Sequence, residues 1–169
     1  SPLSKGVILA DEVGLGKTIE AALVISQRWA EKRRRILIIV PASLRKQWQQ
    51  ELADKFFLPS LILERKTHTR LLSEGLSNPF NLDSQVVICS YPFAAISQEE
   101  VAAVPWDLVV VDEAHRLRNV YKAGAKTAKT ITAALESYPK LLLTATPLQN
   151  SLMELYGLVS VIDPHVFGD

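Results

Sequence analysis

Cysteine is almost missing from this chain: Cys89 is the only one in 169 residues, which rules out an internal disulfide and a cysteine metal cluster. It lies in the apolar run Val86-Val87-Ile88-Cys89, where a buried, inert thiol is expected. Long hydrophobic runs are missing too. None approaches the roughly 20 residues of a bilayer-spanning helix, and no signal-peptide pattern opens the sequence. A cytoplasmic or nucleoid location without a membrane partner is the resulting expectation. An excess of either charge is also lacking. Nineteen Lys and Arg against eighteen Asp and Glu leave +1, so nucleic-acid contact would need a local patch rather than bulk electrostatics. Repeats and low-complexity linkers are absent. What is present, 48% apolar and 22% charged residues, fits one globular lobe spanning residues 1–169.

Glycine is sparse, at seven residues, yet two of the seven stand close together in Ala10-Asp11-Glu12-Val13-Gly14-Leu15-Gly16-Lys17-Thr18. The apolar run Val7-Ile8-Leu9 precedes this stretch and helical periodicity follows it, giving the order strand, glycine turn, helix. A nucleoside triphosphate needs a turn with inward-pointing amides, which Gly14 and Gly16 permit by leaving room for close backbone approach. Lys17 can reach the outer phosphates, and Thr18, at the positive end of a helix, can ligate Mg²⁺. Residues 11–18 therefore read as an ATP-binding phosphate loop. The first glycine of the general eight-residue pattern is replaced here by Asp11; the final Gly-Lys-Thr is intact. Taken alone, the stretch also fits an ordinary glycine-rich turn with a solvated lysine.

Along the chain, apolar residues at helical spacing predict a first helix over residues 17–33, ending in the basic run Lys32-Arg33-Arg34-Arg35. That run suits a helix C-terminus and reads as a solvated corner rather than a DNA contact. Ile36-Leu37-Ile38-Ile39-Val40 reads as a central parallel strand stopped by Pro41. Ser43 can cap a second helix with Leu44, Trp48, Leu52 and Phe56 on one face, which makes Trp48 a core residue before it is a base-stacking platform. From residue 57 to 82 the pattern weakens, with a strand at Leu61-Ile62-Leu63, a polar stretch around Arg65-Lys66-Thr67-His68 and a turn at Ser77-Asn78-Pro79. His68 has no partner at metal-ligand spacing. Further strands follow at Val86 to Ser90, Leu108-Val109-Val110-Val111 and Leu141-Leu142-Leu143. Helices are expected around Phe93, Ile96 and Val101, then from Tyr121 to Leu135, and after the capping box Ser151 to Glu154 as far as Pro164. Alternating strands and helices define an α/β lobe with a mostly parallel sheet and helices on both faces.

Ligands of such sheets bind outside the carboxyl ends of the strands, and three strand ends here carry polar residues directly after apolar runs. Asp112 can hold Mg²⁺ through water, while the adjacent Glu113 can orient and deprotonate an attacking water. Lys17, Asp112 and Glu113 are thus the candidate catalytic residues, with Thr18 and Asp112 as metal ligands.

The motifs Asp11-Glu12-Val13-Gly14-Leu15-Gly16-Lys17-Thr18, Val40-Pro41-Ala42-Ser43-Leu44 with Trp48, Ser90-Tyr91, Asp112-Glu113-Ala114-His115-Arg116-Leu117-Arg118-Asn119 and Leu143-Thr144-Ala145-Thr146-Pro147-Leu148-Gln149-Asn150 resemble, in order, motifs I, Ia, Ib, II and III of the Swi/Snf-type ATPases of helicase superfamily 2. Glu12-Val13, Ile19-Glu20-Ala21 and Thr144-Ala145-Thr146 are similar to the bacterial, RapA-like branch. The resemblance implies the first of two RecA-like lobes, a three-layer sandwich, with a second lobe, its arginine fingers and an adenine-reading motif outside this chain. It implies ATP and Mg²⁺ as cofactors, double-stranded DNA as partner, and RNA polymerase or another nucleoprotein complex as a further one. His115, Thr144 and Thr146 would couple nucleotide state to DNA. DNA phosphates would meet amides and hydroxyls at Pro41, Ser43, Arg45, Lys46, Ser90 and Tyr91, without base readout. It further implies that the strand at 141–143 lies between the phosphate-loop strand and the acidic strand. An RNA helicase lobe also carries Asp-Glu-Ala-His, although Arg116 to Asn119 and Pro147 to Asn150 favour the duplex translocases. A nucleotide-gated interaction module without turnover is the other alternative, against which Glu113 argues. GTPase and kinase readings lack a guanine-reading element and an acceptor site.

Overall fold

Five short runs of branched apolar residues and one shorter edge segment build the sheet. The computed structural model describes residues 6–10, 14–114 and 126–144. The strands are β1 (Gly6–Ala10), β2 (Ile36–Val40), β3 (Ser60–Ile62), β4 (Val86–Ser90), β5 (Leu108–Val111) and β6 (Lys140–Thr144). They are joined by helices α1 (Gly14–Ala30), α2 (Arg45–Phe56), α3 (Arg65–Ser73), α4 (Tyr91–Ile96), α5 (Gln98–Ala103) and α6 (Lys126–Leu135). The order across the sheet is β1-β6-β5-β2-β4-β3, and every pairing is parallel. β6 therefore separates β1 from β5, as the resemblance implies.

The two-residue period of each strand splits the core into two layers. Ile36, Ile38 and Val40 share a face with Val86, Ile88, Val110, Leu141 and Leu143, closed by Ala21, Ile25, Trp48 and Leu52 of α1 and α2. Leu37, Ile39, Val87, Cys89, Val109, Val111 and Leu142 face the other way, onto Leu71, Ala94, Val101, Ile131 and Leu135 from α3 to α6. Every residue of β2, β4, β5 and β6 is buried. Each aliphatic side chain so placed is worth about 1.5–3 kcal/mol relative to exposure. That burial, and not helix propensity, holds the three layers together.

Helix ends depart from the periodicity in ways that backbone geometry explains. α1 starts at Gly14 and stops at Ala30, three residues before Arg33. Lys32 takes a left-handed φ of 64°, while the amides of Lys32 and Arg33 close back onto Trp29 and Arg28, a Schellman-type stop. α3 was not anticipated, because Leu71 is its only buried residue and one apolar contact leaves almost no periodic signal. The helix expected around Phe93 to Val101 is two short ones, broken at Ser97. His68 Nε2 lies 2.8 Å from Glu100 Oε1 and ties α3 to α5. The helix expected after Ser151 lies outside the described residues.

Charge at the amino-terminal edge of the sheet is structural. The Arg34 guanidinium sits 4.9 Å from the Trp29 ring centroid, and the Arg35 amide donates to Asp107 Oδ2 at 3.1 Å. Lys140, at the start of β6, is 2% exposed. Its ammonium donates to the carbonyls of Leu135 (2.8 Å) and Tyr138 (2.9 Å), so a cation meets the carbonyls at and just beyond the C-terminal end of α6.

Candidate functional site

All six strands point their carboxyl ends at one edge. Register pairs Ala10 with Thr144 and Val40 with Ser90, and Asp112 follows Val111 directly, its amide donating to the Ile39 carbonyl at 2.9 Å. The ends of β1, β6, β5, β2 and β4 thus form one rim. A cleft of about 280 Å³ opens there. Lys17 and Thr18 enter it from the first turns of α1, Asp112 and Glu113 from the end of β5, and Gln47, Trp48 and Glu51 from α2.

Alternation along β5 sends Asp112 to the same face as Leu108 and Val110, the face covered by α1 and α2. Both of its carboxylate oxygens are held. Trp48 Nε1–H donates to Oδ2 at 2.8 Å, and the Glu113 amide donates to Oδ1 at 2.9 Å. Burial pushes the Asp112 carboxyl above the usual carboxylate range, and the Glu113 charge adds to this; the two hydrogen bonds and the Lys17 ammonium pull it back. Lys17 is itself only 5% exposed, so a buried cation and a buried carboxylate share one cleft. Glu113 is partly exposed and takes a φ of 56°, the left-handed region that non-glycine residues rarely occupy.

From the other side of the sheet, the Tyr91 hydroxyl donates to the Asp112 carbonyl at 2.5 Å, with the Glu113 carbonyl 3.3 Å away. Ser90 Oγ accepts from the Phe93 amide at 3.3 Å and caps α4. Both residues are buried. The expected DNA contact at Ser90 and Tyr91 rests on backbone amides and hydroxyls; both hydroxyls make internal hydrogen bonds here, and that of Tyr91 steadies the backbone of the acidic pair. At the end of β2, Pro41 is buried, while Ser43 and Lys46 are exposed. Arg45 lies between, its Nε donating to the Ala42 carbonyl (3.0 Å) and its guanidinium 3.2 Å from Glu64 Oε2. Thr144 ends β6 fully buried. Gly14, Leu15 and Gly16 open α1. Asp11, Glu12, Val13, His115 and Thr146 lie outside the described residues.

Sequence reasoning missed what α2 brings to the cleft. Trp48 read as core, which it is at 2% exposure, but its indole N–H is turned to a carboxylate 64 positions away, and no local spacing encodes that. Gln47 and Glu51 carried no signal beyond helical position. A threonine hydroxyl and a carboxylate are hard oxygen donors of the kind Mg²⁺ takes alongside water and phosphate oxygens. Among the described residues no group of three or more His, Cys, Asp or Glu side chains is arranged to hold a metal by itself.

An all-parallel sheet in this order, with helices on both faces and its cleft at the strand ends, defines a RecA-like α/β lobe. A model of the SNF2-related domain family matches residues 3–169, and the chain belongs to that family. It is 40% identical over 168 residues to the RNA polymerase-associated protein RapA of Yersinia pseudotuberculosis. The same figures hold for RapA of Yersinia pestis. Each alignment covers 96% of this chain and 17% of the relative, so the chain spans about a sixth of the length of those proteins. The fold is similar to that of the Sulfolobus solfataricus SWI2/SNF2 ATPase core in complex with dsDNA, with a TM-score of 0.75 and 24% identity over 97% of this chain and 32% of that one. No helix among the described residues is long and apolar enough to cross a membrane.

Proposed function

We propose that residues 1–169 are the first RecA-like lobe of a Swi/Snf-type translocase that couples Mg-ATP hydrolysis to movement along double-stranded DNA. The observation that supports this most is the shared cleft of buried Lys17, Thr18, buried Asp112 and Glu113 at the strand ends. Lys17 would hold the outer phosphates, helped by backbone amides of residues 11–18. Thr18 and Asp112 would hold Mg²⁺, which neutralises phosphate charge when bound. Glu113, which lines the same cleft, would orient and deprotonate water.

DNA phosphates would be met at the end of β2 and the start of α2, around Ser43, Arg45 and Lys46, next to Pro41. Ser90 and Tyr91 would act from behind, by holding α4 and the acidic pair. His115, Thr144 and Thr146 would carry nucleotide state toward DNA. A second lobe supplies the arginine finger in this reading, and the bacterial relatives' name supports RNA polymerase as a partner, with a cytoplasmic, nucleoid-associated location.

Nucleotide affinity and single-turnover hydrolysis of three variants of the full-length protein test the assignment, with thermal melting as the folding control. Glu113→Gln should keep ATP affinity and lose at least roughly 10²-fold in turnover, the scale of general-base removal. Lys17→Ala should lose affinity and turnover together, and Asp112→Asn should weaken Mg²⁺-dependent binding. Near wild-type hydrolysis by Glu113→Gln would remove Glu113 from the mechanism.

A further inference from the structure

We propose that Trp48 is a positioning residue for the nucleotide site, its indole N–H fixing the orientation in which Asp112 meets Mg²⁺; this rests on the reading of Asp112 as the metal carboxylate. A buried indole needs an acceptor for its single N–H. Trp106 shows the inexpensive solution in the same chain, donating to the Val101 carbonyl at 2.8 Å. Trp48 instead donates to a buried carboxylate, a group whose charge is costly to hold away from water unless hydrogen bonds compensate it. The geometry explains the choice. With Oδ2 taken by the Trp48 N–H and Oδ1 by the Glu113 amide, both oxygens are fixed. A carboxylate oxygen has two lone pairs, so each keeps one for a metal-bound water.

Trp48 and Asp112 line the same cleft as Lys17 and Thr18, so this fixed carboxylate lies where the metal and phosphates would sit. Trp48 touches neither substrate nor reacting atoms in this account; it acts through Asp112. Hydrogen-bond partners of metal ligands are commonly worth about 10- to 100-fold in metal affinity.

The test is a Mg²⁺ titration of the full-length protein at fixed fluorescent ATP analogue, alongside analogue binding in EDTA. Trp48→Phe removes the donor and keeps an aromatic ring. Trp48→benzothienylalanine keeps the bicyclic shape with sulfur in place of N–H, and covers the case in which Phe packs poorly. The half-saturating Mg²⁺ concentration should rise roughly tenfold in both, with Mg²⁺-free affinity unchanged within about twofold. Combined with Asp112→Asn, Trp48→Phe should add nothing further, because the two changes remove one interaction. An unchanged Mg²⁺ requirement in the isosteric variant, equal losses with and without Mg²⁺, or full additivity with Asp112→Asn would overturn the proposal. Should Asp112→Asn itself leave the Mg²⁺ requirement unaltered, the metal role of Asp112 fails, and the role of Trp48 falls with it.

Discussion

Cys89 and Asp112 show at single-residue scale how the same burial serves opposite ends. Cys89 is fully buried among apolar neighbours, and its thiol is pushed from 9.0 up to about 12 by that burial, with Arg45 pulling slightly the other way. A folded-state value above the unfolded one means a contribution to stability that is fully present below pH 9.0 and lost as pH rises toward about 12. The native protein should therefore resist iodoacetamide at mildly alkaline pH and react once unfolded in urea. Cys89→Ala should flatten the alkaline fall in stability, as followed by urea melts across pH. Rapid labelling of the folded protein would contradict the burial. The burial of Cys89 was legible because the strand that carries it is apolar on both of its faces, Val86 and Ile88 on one and Val87 on the other. The hydrogen bonds of Asp112 were not: Trp48 and Tyr91 come from elements on opposite faces of the sheet, 64 and 21 positions away. Only the folded register brings them to one carboxylate and its carbonyl.

At the scale of elements, α2 carries the strongest local conflict with propensity. Phe57 ends it in the left-handed region, φ 56°, ψ 36°, and is 86% exposed. An aromatic residue there has the steric cost of the left-handed backbone and returns no burial. Phe57→Gly should therefore stabilise the fold by about 0.5–1 kcal/mol after the entropy of an unfolded glycine is subtracted. For a chain of this size that is a rise of about 2–4 °C in Tm per kcal/mol, measurable by calorimetry. A fall in Tm would show that Phe57 packs against something in solution. The same helix explains why element readings succeeded unevenly. α2 was legible from Trp48, Leu52 and Phe56, in step with Leu44 just before it, all buried or partly buried; α3 escaped because it contributes Leu71 alone. The start of α2 at Arg45, directly after the Ala42–Leu44 turn, also puts the proposed DNA-contact residues about one helical turn from Trp48.

For the whole molecule, the order β1-β6-β5 is what brings the glycine segment, the acidic pair and Thr144 to one rim. That order was implied by the family resemblance of the motifs, and the short strand β3 was legible from Leu61-Ile62-Leu63 to within one residue, whereas the split between α4 and α5 at Ser97 was not, since a break of one residue leaves the apolar spacing on both sides unchanged. Two core layers of nearly continuous apolar strands make this rim a rigid frame, with Lys17 and Asp112 buried at its edge. The central claim is that this frame serves a motor on duplex DNA. Steady-state ATP hydrolysis by the full-length protein, measured alone, with duplex DNA and with duplex RNA, tests it most directly, with Glu113→Gln as the control that ties turnover to this lobe. Hydrolysis should rise with duplex DNA, respond little to RNA, and disappear in Glu113→Gln under all three conditions; stimulation by RNA in preference to DNA, or hydrolysis that survives the loss of Glu113, would contradict the account.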